Sequence, residues 1–206
     1  MNGVVRILVT GSGGIGGVNF VRALRLAERM VGERYFIVGT DFNPYHLLLP
    51  DVDVRCRTPR HSDPTFIPKL LELIRKHSII FIHPHPSVEA RAVAGHRELL
   101  DELSVKYYLP RPEDIAPDKL TMHTKLRGVS VPAPATIEVK SLDDIDGAFK
   151  ELGSPLWVRA KVGAGGRLSL KVSSPEEAKL WIRLNVMQGR ARLVTSLSRS
   201  TYRGGT

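Results

Sequence analysis

Arg159 and Lys161 stand two residues apart in the run Leu156-Trp-Val-Arg-Ala-Lys161, and Gly163, Gly165 and Gly166 follow at once. Successive side chains of an extended segment point to opposite faces. Val158 and Ala160 would therefore meet a core, and the two cations would share the other side. A glycine-rich turn brings backbone N–H groups close to an anion with no Cβ in the way. Donors of that kind beside two cations suit the phosphates of a nucleotide. The same residues also describe a basic edge strand ending in a hairpin, and taken alone they leave both readings open.

Two further clusters could carry chemistry. Gly11, Gly13 and Gly14, with Gly16 and Gly17 behind them, follow the apolar run Val4–Thr10 directly. Such a turn tightens easily and seats an anion at the start of a helix. His83-Pro-His85-Pro-Ser-Val-Glu89 follows the apolar run Ile79–Ile82. Two histidines and a carboxylate could hold a metal. The interleaved prolines and the lack of a cysteine cluster favour a rigid ligand-side loop instead. Asp41 ends a strand-like run, where an acid is the usual partner of a ribose or simply caps the turn.

The elements that must position these residues read as follows. Val4–Thr10, Tyr35–Gly39, Val52–Cys56, Ile79–Ile82 and Lys106–Leu109 predict strands, the longer ones apolar enough for a parallel sheet covered on both faces. Helical spacing predicts helices through Arg29, over 63–77 with Asp63 as N-cap, and over 90–104. Strand, glycine turn and helix make the opening of a Rossmann-like unit. Pro110-Arg-Pro112 marks a boundary. Beyond it come a helix that begins in Ala116-Pro-Asp-Lys119, runs to about Arg127 and stops at Gly128, an extended proline-rich segment, and a helix capped by Ser141. The cationic strand with its hairpin partner Leu168–Val172 follows, then a helix capped by Ser174. The expected fold class is α/β, a parallel sheet domain followed by a small α+β subdomain.

Composition bounds the function. The 206 residues are 42% hydrophobic and 25% charged, ordinary for a globular protein with a real core. The one cysteine, Cys56, excludes an intrachain disulfide or a cysteine-cluster metal site. No apolar run is long enough to span a membrane and no signal pattern opens the chain, so the expected location is the cytoplasm. The net charge of +9 would suit an anionic partner. The stretch 187–206 holds four arginines and no carboxylate. The scarcity of Gln and Asn hints at a thermophile.

The order of these segments resembles the ATP-grasp ligases, and within them the large subunit of carbamoyl-phosphate synthetase and related carboxylate–amine ligases. The residues that carry the resemblance are Asp118-Lys119-Leu-Thr, Gly128-Val-Ser-Val-Pro132 and Arg159-Ala-Lys161-Val-Gly-Ala-Gly-Gly166, after the Rossmann-like half. It implies a pre-ATP-grasp domain over 1–111 and an ATP-grasp lid subdomain over 112–190. It also implies that Lys119 touches a phosphate of ATP, that Arg159 holds the α-phosphate, and that Gly163, Gly165 and Gly166 form the flexible phosphate loop. Gly11, Gly13, Gly14, His83 and His85 then lie on the substrate side. The implied chemistry is phosphorylation of a carboxylate or bicarbonate by ATP, with Mg2+ bridging the phosphates, and capture of the acyl phosphate by an amine.

The family continues past the lid into a half that supplies the acidic magnesium ligands, whereas this sequence stops at Thr206. The resemblance thus implies a truncated ligase with weak, residual ATP binding and incomplete catalysis. It also implies an exposed face covered by a homo-oligomer or by a second chain supplying the missing half. Residues 191–206 read as an irregular tail. A frameshift near residue 193 would explain them, because wobble choices allow a shifted frame to read as a ligase-like strand; a genuine basic tail is the alternative.

Two rival functions differ in kind. An NAD-dependent epimerase or reductase would use Gly11–Gly16 and Asp41. Its short-chain forms need Tyr-x-x-x-Lys, and none of Tyr35, Tyr45, Tyr107, Tyr108 and Tyr202 has a lysine four positions on. A basic nucleic-acid-binding protein would use the net charge, but no recognised motif accompanies it.

Overall fold

Val5–Thr10 (β1) lies between Tyr35–Asp41 (β2) and Phe81–Pro84 (β4), and Val54–Arg57 (β3) flanks β2. In the computed structural model, which describes residues 3–116, 118–161, 168–190 and 195–199, these four strands form a parallel sheet of order β3-β2-β1-β4. The register sets Val9 beside both Gly39 and His83. Side chains alternate between two cores. Ile7, Val9 and Ile37 pack with Val21 of the helix Ile15–Val31 (α1). Leu8, Val38 and Ile82 pack with Phe66, Leu70 and Ile74 of Phe66–His77 (α2), and with residues of Ser87–Ala94 (α3) and Arg97–Glu102 (α4). Burial of both faces explains why β1 lacks an apolar–polar alternation.

The chain divides into two compact units, Met1–Ile115 and Ala116–Thr206. The second contains Lys119–Gly128 (α5), Thr136–Val139 (β5), Asp144–Leu152 (α6), Leu156–Ala160 (β6), Ser169–Val172 (β7), Pro175–Met187 (α7) and Thr195–Arg199 (β8). Its sheet is antiparallel, in the order β5-β8-β6-β7. Val139, Leu156, Val158, Val172 and Leu197 form the apolar face against Ile145, Ala148, Ala178 and Ile182 of α6 and α7. Full burial of each such side chain contributes about 1.5–3 kcal/mol.

Several expectations need correction. The stretch 191–206 is not irregular throughout, because Thr195–Arg199 is a strand paired on both sides and Leu197 is fully buried. The helix predicted over 90–104 is two helices, broken at His96, whose backbone leaves the helical region and whose N–H and Nδ1 turn to the Val93 and Ala92 carbonyls. The predicted strand at Lys106–Leu109 is a single bridge from Lys106 to Phe81. Asp63 does not cap α2. Its carboxylate accepts from the N–H and hydroxyl of Thr65, which holds a turn one step before the helix. Ser141 is likewise no cap, since the Asp144 carboxylate accepts from the N–H groups of Lys140 and Ser141 instead.

Candidate functional site

The second unit gathers its charge on the sheet face opposite the core. Glu138 of β5, Arg159 of β6 and Ser169 of β7 fall in one cross-strand row, paired through position 196 of the β8 backbone, so the Cβ atoms of these three share that face. The next row on the same face holds Thr136, Ser198, Trp157 and Lys171. α5 attaches at the β5 side. Asp118 caps it by accepting from the N–H of Thr121 at 2.9 Å, and the Lys119 N–H donates to the Lys161 carbonyl at 3.3 Å.

Six charged or titratable groups meet there: Lys119, Arg159, His123, Lys161, Asp118 and Glu138. Burial, then the Arg159 guanidinium, holds the Lys119 ammonium below the ordinary lysine range, against a smaller pull from Asp118. The same two causes, with Lys119 added, hold His123 of α5 below the ordinary imidazole range. Lys161 donates to Glu138 at 2.7 Å, and that bond raises it above the ordinary lysine range. Burial pushes Asp118 upward, but hydrogen bonds from Thr121 and the charge of Lys161 outweigh it and leave Asp118 low. Arg159 therefore disfavours the charge of Lys119, and a polyanion placed beside them would remove that penalty. Gly163, Gly165 and Gly166 lie outside the described residues, as does the hairpin turn they were expected to form.

The first unit brings together Gly11, Gly13, Gly14, His83 and His85 at the carboxyl end of the parallel sheet. Gly11 has a left-handed φ of +56°, and a Cβ there would strike Pro86. A Cβ on Gly13 would strike the His46 backbone, and one on Gly16 the His85 ring. The close approaches that demand glycine are thus to the protein itself. His83 is a buried β4 residue rather than part of the loop that follows. It stacks on Phe20 with ring centroids 3.7 Å apart and accepts from or donates to the Tyr108 hydroxyl through Nδ1. Burial, with a smaller effect of His85, lowers its pKa to about 4.

Glu89 of α3 and Asp41 at the end of β2 are also buried at that end, and Gly11 packs beside the Glu89 carboxylate. Burial raises the Glu89 pKa to about 7. The Thr10 hydroxyl opposes this without reaching hydrogen-bond geometry, and Asp41 reinforces it. Asp41 accepts from the Asn43 N–H at 2.9 Å, the turn-capping role weighed above. No group of three His, Cys, Asp or Glu side chains that could hold a metal occurs among the described residues. A hollow of about 330 Å³ opens at the ends of β2 and β3, between Phe42, Arg57 and Arg60. The Arg60 guanidinium stacks there on the Phe42 ring at 4.0 Å.

Residue types alone did not single out His123 and Glu138. A histidine at helix position five carries no spacing signal, and Glu138 is defined only by the register that sets it beside Lys161.

No family model matches the chain, and no curated protein matches it by sequence. Solved structures do. Carboxyaminoimidazole ribonucleotide synthase from Aspergillus clavatus, complexed with ATP, aligns with a TM-score of 0.62 at 15% identity, over 97% of this chain and 48% of that one. Biotin carboxylase from Campylobacter jejuni aligns at 0.61 and 17%, over 97% and 46%. L-amino acid ligase from Bacillus licheniformis aligns at 0.61 and 14%, over 97% and 45%. These are ATP-grasp enzymes, and this chain shares their fold. It spans about half the length of each. No helix among the described residues is long and apolar enough to cross a membrane.

Proposed function

We propose that the chain is a nucleotide-binding part of an ATP-grasp carboxylate–amine ligase. The first unit would be its Rossmann-like pre-ATP-grasp domain and the second its lid subdomain. One observation carries the reading: the Lys119 N–H donates to the Lys161 carbonyl just past β6, so Lys119 and Arg159, far apart in sequence, meet at one end of the sheet, where Arg159 disfavours the Lys119 charge. Lys119 would grip one phosphate as a point charge, and Arg159 would hold another through parallel N–H donors. Lys161 is already tied to Glu138 and would act by orienting the strand end. Bound ATP would supply the phosphoryl group that activates a carboxylate for attack by an amine.

Magnesium fits poorly. Glu138, a carboxylate of that face, is engaged by Lys161, and no metal-binding trio occurs among the described residues. No step is derived through the ion. The carbamoyl-phosphate synthetase kinship rests on the motif order and on Arg rather than Lys at position 159. The substrate-side role of Gly11, Gly13, Gly14, His83 and His85 rests on their position at the carboxyl end of a parallel sheet of order 3-2-1-4. The dinucleotide alternative is weakened by the glycine contacts, because His46, His85 and Pro86 occupy the space a pyrophosphate would need.

Calorimetry with ATP tests the proposal. Saturable binding that is lost in the Lys119→Ala, Arg159→Ala double variant supports it. Equal binding by the variant and the wild type sinks it.

A further inference from the structure

His123 is the buried polar residue of α5, and its hydrogen bonds fix which nitrogen carries the proton. The Thr136 hydroxyl donates its one proton to the Pro134 carbonyl at 3.0 Å. It can therefore only accept from His123, whose Nδ1 lies 2.8 Å away. Nδ1 carries the hydrogen, and Nε2 holds the basic lone pair.

The groups that decide whether Nε2 binds a proton lie on three elements. α5 contributes Lys119, and β6 contributes Arg159; both charges oppose protonation, and burial opposes it first. β5 contributes the neutral Thr136 beside the ring and Glu138, which Lys161 holds. Asp118, at the start of α5, is committed to Thr121. Burial and these two charges together lower the imidazole.

We propose that His123 is a proton-linked third cation of this site, taking up a proton at Nε2 when a polyphosphate settles between Lys119 and Arg159. This rests on the nucleotide-binding reading above and adds to it. A polyphosphate would cancel the two charges that oppose protonation and offer its own oxygens to the new Nε2–H. The balance is one proton from solvent to Nε2 for each polyphosphate bound, and no covalent bond changes. Affinity then rises as the pH falls through the imidazole range.

The probe is inorganic pyrophosphate, added to the full chain between about pH 5 and about pH 8. Imidazole Cε1–H resonances are followed by NMR, and that of His123 is assigned by its absence in His123→Gln. Saturation should raise the His123 titration midpoint by about one pH unit or more. The affinity ratio of wild type to His123→Gln should grow about tenfold from the alkaline to the acid end. Protonation of pyrophosphate itself cancels in that ratio. Saturable binding with an unmoved His123 midpoint overturns the inference and leaves the site reading intact. Absence of binding at every pH overturns the site reading and the inference with it. The NMR arm uses wild-type protein, so a poorly folded variant does not decide the outcome.

Discussion

The polar face of the antiparallel sheet and the carboxyl end of the parallel sheet handle charge in opposite ways. On the first, the Arg159 guanidinium disfavours the charge of Lys119, while Glu138 accepts from Lys161. On the second, burial drives His83 and Glu89 toward their neutral forms, and glycines let His46, His85 and Pro86 close over the turn. In the first region the charges act against one another across the face. In the second, burial favours the protonated acid and the unprotonated base. A glycine-rich turn at the head of a parallel sheet is therefore, by itself, no sign of an anion site. Cations that oppose one another are the more telling feature.

The contrast can be broken most severely at the cations. Removing Lys119 and Arg159 together should weaken ATP binding by about 100-fold or more, since hydrogen bonds to charged groups contribute about 1.5–3 kcal/mol each. Isothermal titration reads the loss, and a smaller change would place the anion elsewhere.

Next come the two neutralised groups. Glu89 has its folded pKa raised, so its contribution is whole in acid and is lost as pH climbs from the carboxylate range toward 7. His83 has its folded pKa depressed, so its contribution is whole above the imidazole range and is lost as pH falls toward 4. Between the ordinary carboxylate and imidazole ranges the two slopes oppose, and the wild type should show little pH dependence from this pair. Glu89→Gln should expose a loss on acidification, and His83→Asn a loss on alkalinisation. Each would amount to about 3 kcal/mol, in urea unfolding followed across that range. Flat profiles in both variants would show that the pair does not sit in the neutral state.

Smaller effects separate the glycines. Gly13→Ala pushes a methyl into the His46 backbone and should cost about 1–3 kcal/mol. Gly16→Ala meets only the exposed His85 ring, which can swing aside, and alanine favours the helix. Its cost should stay within about 1 kcal/mol. The reverse order, in the same unfolding assay, would assign the turn's tightness to something other than these contacts. Finally, Glu138→Gln removes a negative charge from the cationic face. It should strengthen pyrophosphate binding by about threefold and leave unfolding unchanged.

The sequence made much of this legible. An unbroken apolar β1 pointed to a sheet covered on both faces, and Pro175 with Ser174 marked the start of α7 at the right residue. The strand alternation correctly set Val158 inward and Arg159 outward. The failures share a physical cause, since each depended on partners distant in sequence. Thr195–Arg199 holds a single large apolar residue, and nothing local shows that Leu197 meets Val158 and Ile137 across two neighbours. His123 gains its meaning only from Thr136 and Arg159. His83 reads as part of a loop because prolines follow it, yet it belongs to β4, where its ring meets Phe20 and Tyr108.

The interior place of β8 also bears on how the chain is made. All four strands of the parallel sheet have left the ribosome once Pro84 has, so the first unit can assemble early. β5 and β6 must wait, each with a bare edge, until Thr195–Arg199 arrives to bridge them. During that interval the nascent second unit is the part of the molecule most exposed to mispairing, and the part a chaperone would have most reason to hold.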